Sequence, residues 1–557
     1  MSDPDRPWLA HYDAGVAPVV DVTPMPVFEH LDRAADAFPD RPAIVFARTR
    51  ITYARLRALA EAVAANLRAA GIGKGDRVAI MLPNTPQTII AYCGVLKAGA
   101  VAVMVNPLYM DTELRAILAD SVPSALIVLD LLFVKHQTLL GEFDFSRIYV
   151  TRIGDALTFP LRQLYALKAR REGKHPRLPY DGSRLLPWKS LLAGKARYSA
   201  PDIDPAADLA VLQYTGGTTG TPKGVMLPHA ALCANVHQCH TVLHGLGVQV
   251  ECFLGLLPYF HIYGLTVCVN FALACGATMA PLPRFSPAET LAAIARHRST
   301  VFPGTPSVYA ALLRQKGASQ KTLGSIRYCV SGSAPMSLDL IEQFQSLTGA
   351  AILEGYGLTE ASPITHLNPL EGRRKPGSIG IPMPGTLARV VDMETGKRIL
   401  PPGEPGELVV RGPQVMRGYW GRPDDTADVL RDGWLHTGDL AVMDEDGYFF
   451  ILDRKKDLII SGGYNIYPRE IEEVLLTHPK VKEAAAIGVP HPTRGEAVKV
   501  FVVPEPGTSP TRNDITAYVR ERLANYKVPR LMEFRSELPK TMVGKVLRRR
   551  LRETSGE

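Results

Sequence analysis

The sequence predicts an α/β protein, in which a large N-terminal domain of parallel α/β sheets carries a small β-barrel subdomain and is followed by a small, mobile α+β C-terminal domain. Three observations lead there. Helical and strand-like segments alternate through the first half, the pattern that βαβ units and a largely parallel sheet produce. From about Gly377 to Tyr448 the texture changes to short β-rich runs divided by Pro and Gly. Beyond a charged string at 453–457, about a hundred residues carry strand and helix signals of their own. The expected division is an N-terminal domain over 1–452, a hinge over 453–457 and a C-terminal domain over 458–557.

The elements follow from periodicity. Leu56, Leu59, Val63 and Leu67 recur at helical spacing between Tyr53 and Leu67, and Arg77 to Met81 is a short β-rich run before a Pro-Asn turn. Ligands of open parallel sheets sit at the carboxyl ends of strands, so functional residues are sought in the loops there. The longest uncharged stretch, Cys252 to Ala280, is long enough to span a bilayer. Gly255, Pro258 and Gly264 break it and His261 lies near its centre, so it reads as a buried strand, an active-site loop and a core helix. Gly406 to Arg411 and Gly412 to Tyr419 are β-rich runs of the barrel. Asp453, Arg454, Lys455, Lys456 and Asp457 form the charged string. Pro468 then opens a helix with Glu470 and Glu472 in its first turn and Ile471, Val474 and Leu475 as its apolar stripe. Val498 to Val503 reads as a strand, and Ile515, Tyr518, Val519 and Leu523 as the buried face of a further helix.

Composition narrows the function classes. A chain of 557 residues, 46% hydrophobic and 21% charged, with no low-complexity tract, can build more than one packed core, which excludes a disordered or fibrous protein. The net charge of +8 comes from 63 basic against 55 acidic residues spread along the chain, which does not indicate nucleic acid binding. Two basic concentrations, Arg162 to Arg177 and Lys545 to Arg552, read as solvated faces. Seven cysteines without a paired framework suit a reduced, cytoplasmic compartment. Cys233, His237, Cys239 and His240 lie close together but match no zinc spacing. The opening residues lack a basic region followed by an apolar core, so no signal peptide is expected.

The strongest chemical signal is Tyr214-Thr215-Gly216-Gly217-Thr218-Thr219-Gly220-Thr221-Pro222-Lys223-Gly224. Its four glycines let backbone N–H groups close on phosphate oxygens, while the threonine hydroxyls and Lys223 add donors and charge. A Walker A loop needs Gly directly before its Lys and Ser or Thr directly after it; Pro222 and Gly224 stand there instead.

This loop resembles the phosphate-binding signature of the adenylate-forming superfamily, which includes acyl-CoA synthetases, luciferases and peptide-synthetase adenylation domains, and further motifs follow in that family's order almost end to end. Gly355-Tyr356-Gly357-Leu358-Thr359-Glu360 resembles the adenine and magnesium motif. The resemblance implies that Tyr356 stacks on adenine, Thr359 bonds the α-phosphate and Glu360 holds Mg2+. Gly332, Ser333 and Ala334 resemble the loop over the other adenine face. Trp434 to Asp439 resembles the ribose motif, with Asp439 accepting from both sugar hydroxyls and Arg454 assisting. Lys456 matches the hinge residue. Gly462, Gly463 and Tyr464 resemble the loop that enters the site for thioester formation. His261 lies in a segment similar to that bordering the acyl and coenzyme A tunnels, and Leu265 stands where some fatty acyl ligases carry a gating Trp. Pro539 to Lys545 matches the catalytic lysine segment, and a long ammonium suits charge building up between carboxylate and α-phosphate. The resemblance thus makes Lys545, Thr215, His261 and Glu360 the catalytic set.

What the resemblance implies is an ATP-, Mg2+- and coenzyme A-dependent fatty acid ligase working through an acyl-adenylate, with aryl or medium-chain acids as the alternative substrates. A carrier-loading domain is disfavoured by how soon the chain ends after Lys545, and a non-catalytic binding module by the retention of Lys545, Glu360 and the Gly-Thr loop. Pro7 to Tyr12 and the insertion from about Thr151 to Arg197 resemble bacterial long-chain ligases. Leu164, Tyr165 and Leu167 amid Arg162, Lys168, Arg170 and Arg171 fit either an anionic membrane surface or a solvated insertion. Peripheral membrane association and a homodimer are both left open.

Overall fold

The structure is a computed structural model that describes residues 6–20, 23–193, 196–215, 222–246, 250–461, 464–541 and 544–555. Gly216, Gly217, Thr218, Thr219, Gly220, Gly462 and Gly463 lie outside the described residues.

Two large sheets dominate the first part of the chain. One has eight strands in the order Gly418–Tyr419, Lys223–Pro228, Leu209–Thr215, Val101–Met104, Arg77–Met81, Ala125–Leu129, Arg147–Thr151 and Leu185–Pro187. It is parallel from Leu209–Thr215 to Leu185–Pro187. The other has nine strands and is parallel from Ala351–Gly357 through Tyr328–Ser331, Val301–Gly304, Cys252–Gly255 and Thr278–Pro281 to Pro42–Phe46. Its edges, Thr49–Thr52 on one side and Ile364–Leu367 with Ile381–Pro382 on the other, pair antiparallel. The strands of a sheet covered on both faces should be apolar throughout rather than alternating. Ala125–Leu129 and Val101–Met104 are indeed buried at every position.

Helix Tyr53–Ala69 begins at Thr52, whose hydroxyl accepts from Arg55 N–H at 3.3 Å. It buries Leu56, Leu59, Val63 and Leu67. Against it lies helix Pro86–Lys97, buried along its whole length, and the two axes close up because Gly94 has no side chain. A Cβ at Gly94 would stand 2.5 Å from Val63 Cβ.

The β-rich stretch forms a five-stranded antiparallel sheet from Leu387–Val391, Gly406–Arg411, Trp434–Met443, Leu430–Arg431 and Phe449–Arg454. Gly412 to Tyr419 is not one of its strands. Only Gly418 and Tyr419 pair, and they do so with Met226 and Val225 of the eight-stranded sheet, tying the two sheets together beside Lys223.

After Asp457 a further sheet is built from Tyr464–Ile466, Ile459–Ser461, Gly495–Pro504, Val481–His491 and Leu531–Phe534. The apolar clusters on its two faces draw on residues 459–551 alone. Helix Pro468–Leu476 buries Ile471 and Leu475. Glu472 is not a solvated first-turn acid, because its carboxylate is turned inward onto Arg548. In helix Arg512–Arg520, Ile515 and Val519 are buried; Tyr518 is only half-buried and Leu523 falls beyond the helix end. The uncharged stretch 252–280 resolves into two strands joined by short helical turns, and among the described residues no helix is long and apolar enough to cross a membrane.

Candidate active site

Several of the expected site residues stand at the carboxyl ends of parallel strands. Thr215 ends strand Leu209–Thr215 and pairs with Lys223 across a hairpin. Tyr214, just before it, donates to Asp120 Oδ2 at 2.6 Å. Ser331 ends its strand immediately before Gly332 and Ser333, and the φ of Ser333 is +73°. Gly355, Tyr356 and Gly357 end strand Ala351–Gly357, and Thr359 and Glu360 follow in a short helical turn. A Cβ on Gly332 would lie 3.2 Å from the ring of Tyr263, so any other residue there would have to push that ring back by a few tenths of an ångström.

Three of the expected residues form a chain of contacts. Tyr356 donates its hydroxyl to Asp439 Oδ2 at 2.5 Å, and Arg454 Nε lies 3.2 Å from Asp439 Oδ1. The loop carrying Asp439 is braced from beneath. Gly438, at φ +70°, donates to Glu407 Oε1 at 3.2 Å, Thr437 donates to Leu408 O at 2.7 Å, and Lys455 reaches Glu407 at 3.0 Å. Burial and the neighbouring Asp439 carboxylate hold the Tyr356 phenol well above the usual tyrosine range, so it stays a donor at neutral pH.

Lys545 comes to the same place from the far end of the sequence. It closes a tight hairpin in which Thr541 N–H donates to Lys545 O at 2.8 Å and Lys545 N–H to Thr541 Oγ1 at 3.1 Å. At the tip, a Cβ on Gly544 would stand 3.0 Å from Ser307 Oγ, which puts the hairpin against the start of helix Pro306–Leu313. Desolvation first, and then the cations Arg454, Lys456 and Arg548 against the single anion Asp439, push the Lys545 ammonium down to about 8. The residue keeps exposed surface, and water offsets part of that desolvation. Lys456, also exposed, is lowered to about 8 by desolvation and by Arg454.

His261 caps the turn Ile262–Leu265, its Nδ1 accepting from Tyr263 N–H at 3.2 Å, which leaves the ring proton on Nε2. Burial, helped by the Lys545 charge, lowers it to about 4, so it is neutral at physiological pH. Leu265, at the gate position, is buried.

A second cluster surrounds Glu360. Tyr419 donates to Glu360 Oε1 at 2.8 Å, Lys223 Nζ lies 5.0 Å from the centre of the Tyr419 ring, and Lys223 is paired with Asp425 at 2.6 Å. Tyr419 and Asp425 were not expected from the sequence. They stand 59 and 65 residues from Glu360, and no local pattern marks them. Tyr464 is not brought to the site; it stacks on Tyr526 with ring centroids 4.5 Å apart and is exposed.

These groups have the donors that a nucleotide and its cation require. Asp439 offers a carboxylate beside a phenol and a guanidinium. Glu360 offers the hard oxygen ligand that Mg2+ prefers. Ser331 Oγ, beside the 332–334 loop, is buried with no hydrogen-bond partner among the described residues, a polar atom that a ligand would satisfy.

The profile of the AMP-binding enzyme family matches residues 31–420, and that of the AMP-binding enzyme C-terminal domain matches residues 470–545. The chain is similar to a long-chain-fatty-acid--CoA ligase of Bacillus subtilis (strain 168), with 46% identity over 99% of this chain and 98% of that protein. It is also similar to a feruloyl-CoA synthase of an Amycolatopsis species, with 38% identity over 94% of this chain and 98% of that one. Among solved structures it resembles ATP-bound MatB from Rhodopseudomonas palustris, with a TM-score of 0.84 and 33% identity, covering 96% of this chain and 99% of that one.

Proposed function

The chain belongs to the AMP-binding enzyme family, and on that premise we propose that it is an AMP-forming fatty acid:coenzyme A ligase. The fatty acid preference is supported by the 46% full-length identity to the Bacillus subtilis ligase, which exceeds the 38% to the feruloyl-CoA synthase. The observation that carries the site assignment is the convergence of Lys545 on the Tyr356–Asp439–Arg454 chain at the strand ends.

The reaction follows from leaving-group chemistry. A thiol cannot expel an oxide from a carboxylate, so the acid is first activated. Its carboxylate oxygen attacks the α-phosphorus of ATP, the bond to the β-phosphate oxygen breaks, and pyrophosphate leaves with that electron pair. Positioning and charge stabilisation carry this step, and no protein nucleophile is needed. Asp439 and Arg454 hold the ribose, Tyr356 and the 332–334 loop the adenine, and Thr215, Lys223 and Thr359 the phosphates. Lys545 offsets the charge shared between carboxylate and α-phosphate. Glu360 would hold Mg2+, which neutralises phosphate charge when bound. In the second step the coenzyme A thiol loses its proton to solvent, its sulfur attacks the acyl carbonyl carbon, the bond from that carbon to the phosphate oxygen breaks, and AMP departs with that electron pair.

Residues 1–452 are the AMP-binding domain, 453–457 the hinge and 458–557 the domain that swings about Lys456 between the two steps. That apolar clusters after Ile459 include no earlier residue supports this division. Tyr464 lies away from the site while Lys545 faces it, as expected of the arrangement for the first step.

Peripheral attachment to an anionic membrane is a further part of this reading. Phe159 is 81% exposed, and Leu164 and Leu167 lie uncovered on helix Leu161–Arg171 beside Arg170 and Arg171. Exposed apolar side chains flanked by cations fit a surface of anionic lipid, where long-chain acids partition.

The deciding experiment supplies ATP, Mg2+, coenzyme A and a series of alkyl and aryl acids and identifies the products. AMP and pyrophosphate with medium or long fatty acids are expected; ADP and phosphate would overturn the assignment. Measured separately, acyl-adenylate formation should be lost in Lys545→Ala, by roughly 100- to 1,000-fold. Conversion of a supplied adenylate should be lost in Lys456→Pro, since the ring fixes φ and restricts the residue before it.

A further inference from the structure

Asp453 and Arg454 are neighbours at the end of strand Phe449–Arg454, yet they hold different parts of the molecule. Arg454 grips Asp439 in the nucleotide site. Asp453, 4% exposed, accepts from the neighbouring Arg454 N–H at 2.8 Å through Oδ1 and takes its other contacts from beyond the hinge. Its Oδ2 accepts from Arg469 N–H at 2.8 Å, in the first turn of helix Pro468–Leu476, and its Oδ1 lies 3.5 Å from Arg548 Nη1. Arg469 adds a bond of its own, from Nη1 to Ile451 O at 2.6 Å.

Arg548 is the centre of a buried cluster of charges. It meets Glu472 through two bonds to Oε1 and Oε2 of 2.8 and 2.7 Å, and lies 3.4 Å from Asp457. Arg552 reaches Asp457 at 2.8 Å. The basic run read from composition as a solvated face is therefore divided: Arg548 and Arg552 turn inward onto acids, and Arg549 and Arg550 face water. Glu472, Asp457 and Arg552 all follow Lys456 in the chain and would travel with Arg548 in a rotation about it. Among the acids that meet Arg548, Asp453 precedes Lys456 and stays behind on a strand registered with Leu440. A buried carboxylate left with one backbone N–H, that of Arg454, and no cation is costly, so Asp453 favours the arrangement in which Arg548 and Arg469 N–H also reach it. Arg548 opens the helix that directly follows the Lys545 hairpin, so the residue that Asp453 holds is three positions from the ammonium.

We propose that Asp453 is a positioning residue that latches the C-terminal segment, through Arg548 and the Arg469 N–H, in the arrangement that faces Lys545 to the nucleotide site, and that its release gates passage to the thioester step. The proposal rests on the roles given above to Lys545 and Lys456.

The test uses the full-length enzyme and single-turnover measurement of each half-reaction for Asp453→Asn, Arg548→Lys, Lys545→Ala and the double variant Asp453→Asn/Lys545→Ala. Asp453→Asn keeps size and hydrogen bonding to Arg469 while removing the charge that holds Arg548. Adenylate formation at saturating ATP and fatty acid should fall about tenfold, within the span of coupling between groups in direct contact. KM values should hold, and conversion of a supplied acyl-adenylate by coenzyme A should be unchanged or faster. Arg548→Lys, which keeps the charge but loses the fork to Glu472, should fall less than Asp453→Asn. Because the latch acts through Lys545, adding Asp453→Asn to Lys545→Ala should cost adenylation nothing more. Equal loss in both half-reactions, unaltered adenylation, or a full further loss in the double variant would overturn the latch. If Lys545→Ala itself left adenylation intact, the underlying role of Lys545 would fail, whatever Asp453→Asn did.

Discussion

Raising the pH should switch off adenylation before it harms the thioester step, because the ammonium of Lys545 is held down to about 8. In the role proposed for it the protonated form offsets negative charge, so activity is lost as pH rises through that value. A group titrating near 8 is about 90% protonated at pH 7 and about 10% at pH 9, whereas an ordinary lysine near 10.4 stays charged throughout. Adenylation should therefore drop between pH 7 and pH 9, by up to about tenfold, and by less to the extent that water at the exposed side chain offsets its desolvation. The fall belongs in kcat/KM, which reports the free enzyme; in kcat it should move to higher pH, since bound ATP adds negative charge that favours the ammonium. The assay is rapid-quench acyl-adenylate formation at subsaturating ATP from pH 6.5 to 10, beside conversion of supplied adenylate by coenzyme A. The latter should rise over this range as the coenzyme A thiol ionises. Lys545→Arg supplies the control, because a guanidinium does not titrate here while Lys456 remains in place. An alkaline limb that survives unchanged in Lys545→Arg, or no limb below pH 10 in the native enzyme, would refute the argument.

Three further outcomes follow from the contacts described. Tyr356→Phe removes a charge-assisted hydrogen bond to Asp439, typically worth about 1.5–3 kcal/mol, and should weaken ATP binding by at least about tenfold in calorimetry; unaltered affinity would mean that Arg454 alone orients Asp439. Gly94→Ala forces a methyl onto Val63 and should lower stability by about 1–3 kcal/mol in urea unfolding, with the m-value unchanged. Phe159→Ser combined with Arg170→Glu and Arg171→Glu should reduce co-sedimentation with anionic liposomes, at about 1 kcal/mol for each cation removed and with strong salt dependence, and equal binding by native and altered protein would remove the membrane reading.

What the sequence made legible is what depends on short range. Arg77 to Met81 stands as a strand, and Leu56, Leu59, Val63 and Leu67 line the buried face of one helix, because both features repeat with the period of their own backbone. Tyr356, Asp439, Arg454 and Lys545 could be named because their motifs are contiguous. What escaped notice is pairing across distance. Nothing near Glu360 announces Tyr419, and the run Arg548, Arg549, Arg550 does not say which guanidinium will meet Glu472, 76 residues earlier. Gly412 to Tyr419 misled for a related reason. Its β-rich composition reports a tolerance for extended backbone, while the partner strand at Val225 and Met226 is set by how the eight-stranded sheet ends.

The strand Phe449–Arg454 has a consequence for how the chain tolerates length changes. Side chains on a strand alternate, so a slip of one residue exchanges the two faces. With Asp453 and Arg454 adjacent, one residue inserted within 449–452 would set Asp453 where Arg454 stands, a carboxylate to Asp439, and one residue removed there would set Arg454 where Asp453 stands, a guanidinium to Arg548. Either change would turn one of the two contacts from attraction to repulsion. The turn at 392–396, closed by Asp392 on its own backbone and contributing a residue to neither contact, should absorb the same change as a local adjustment.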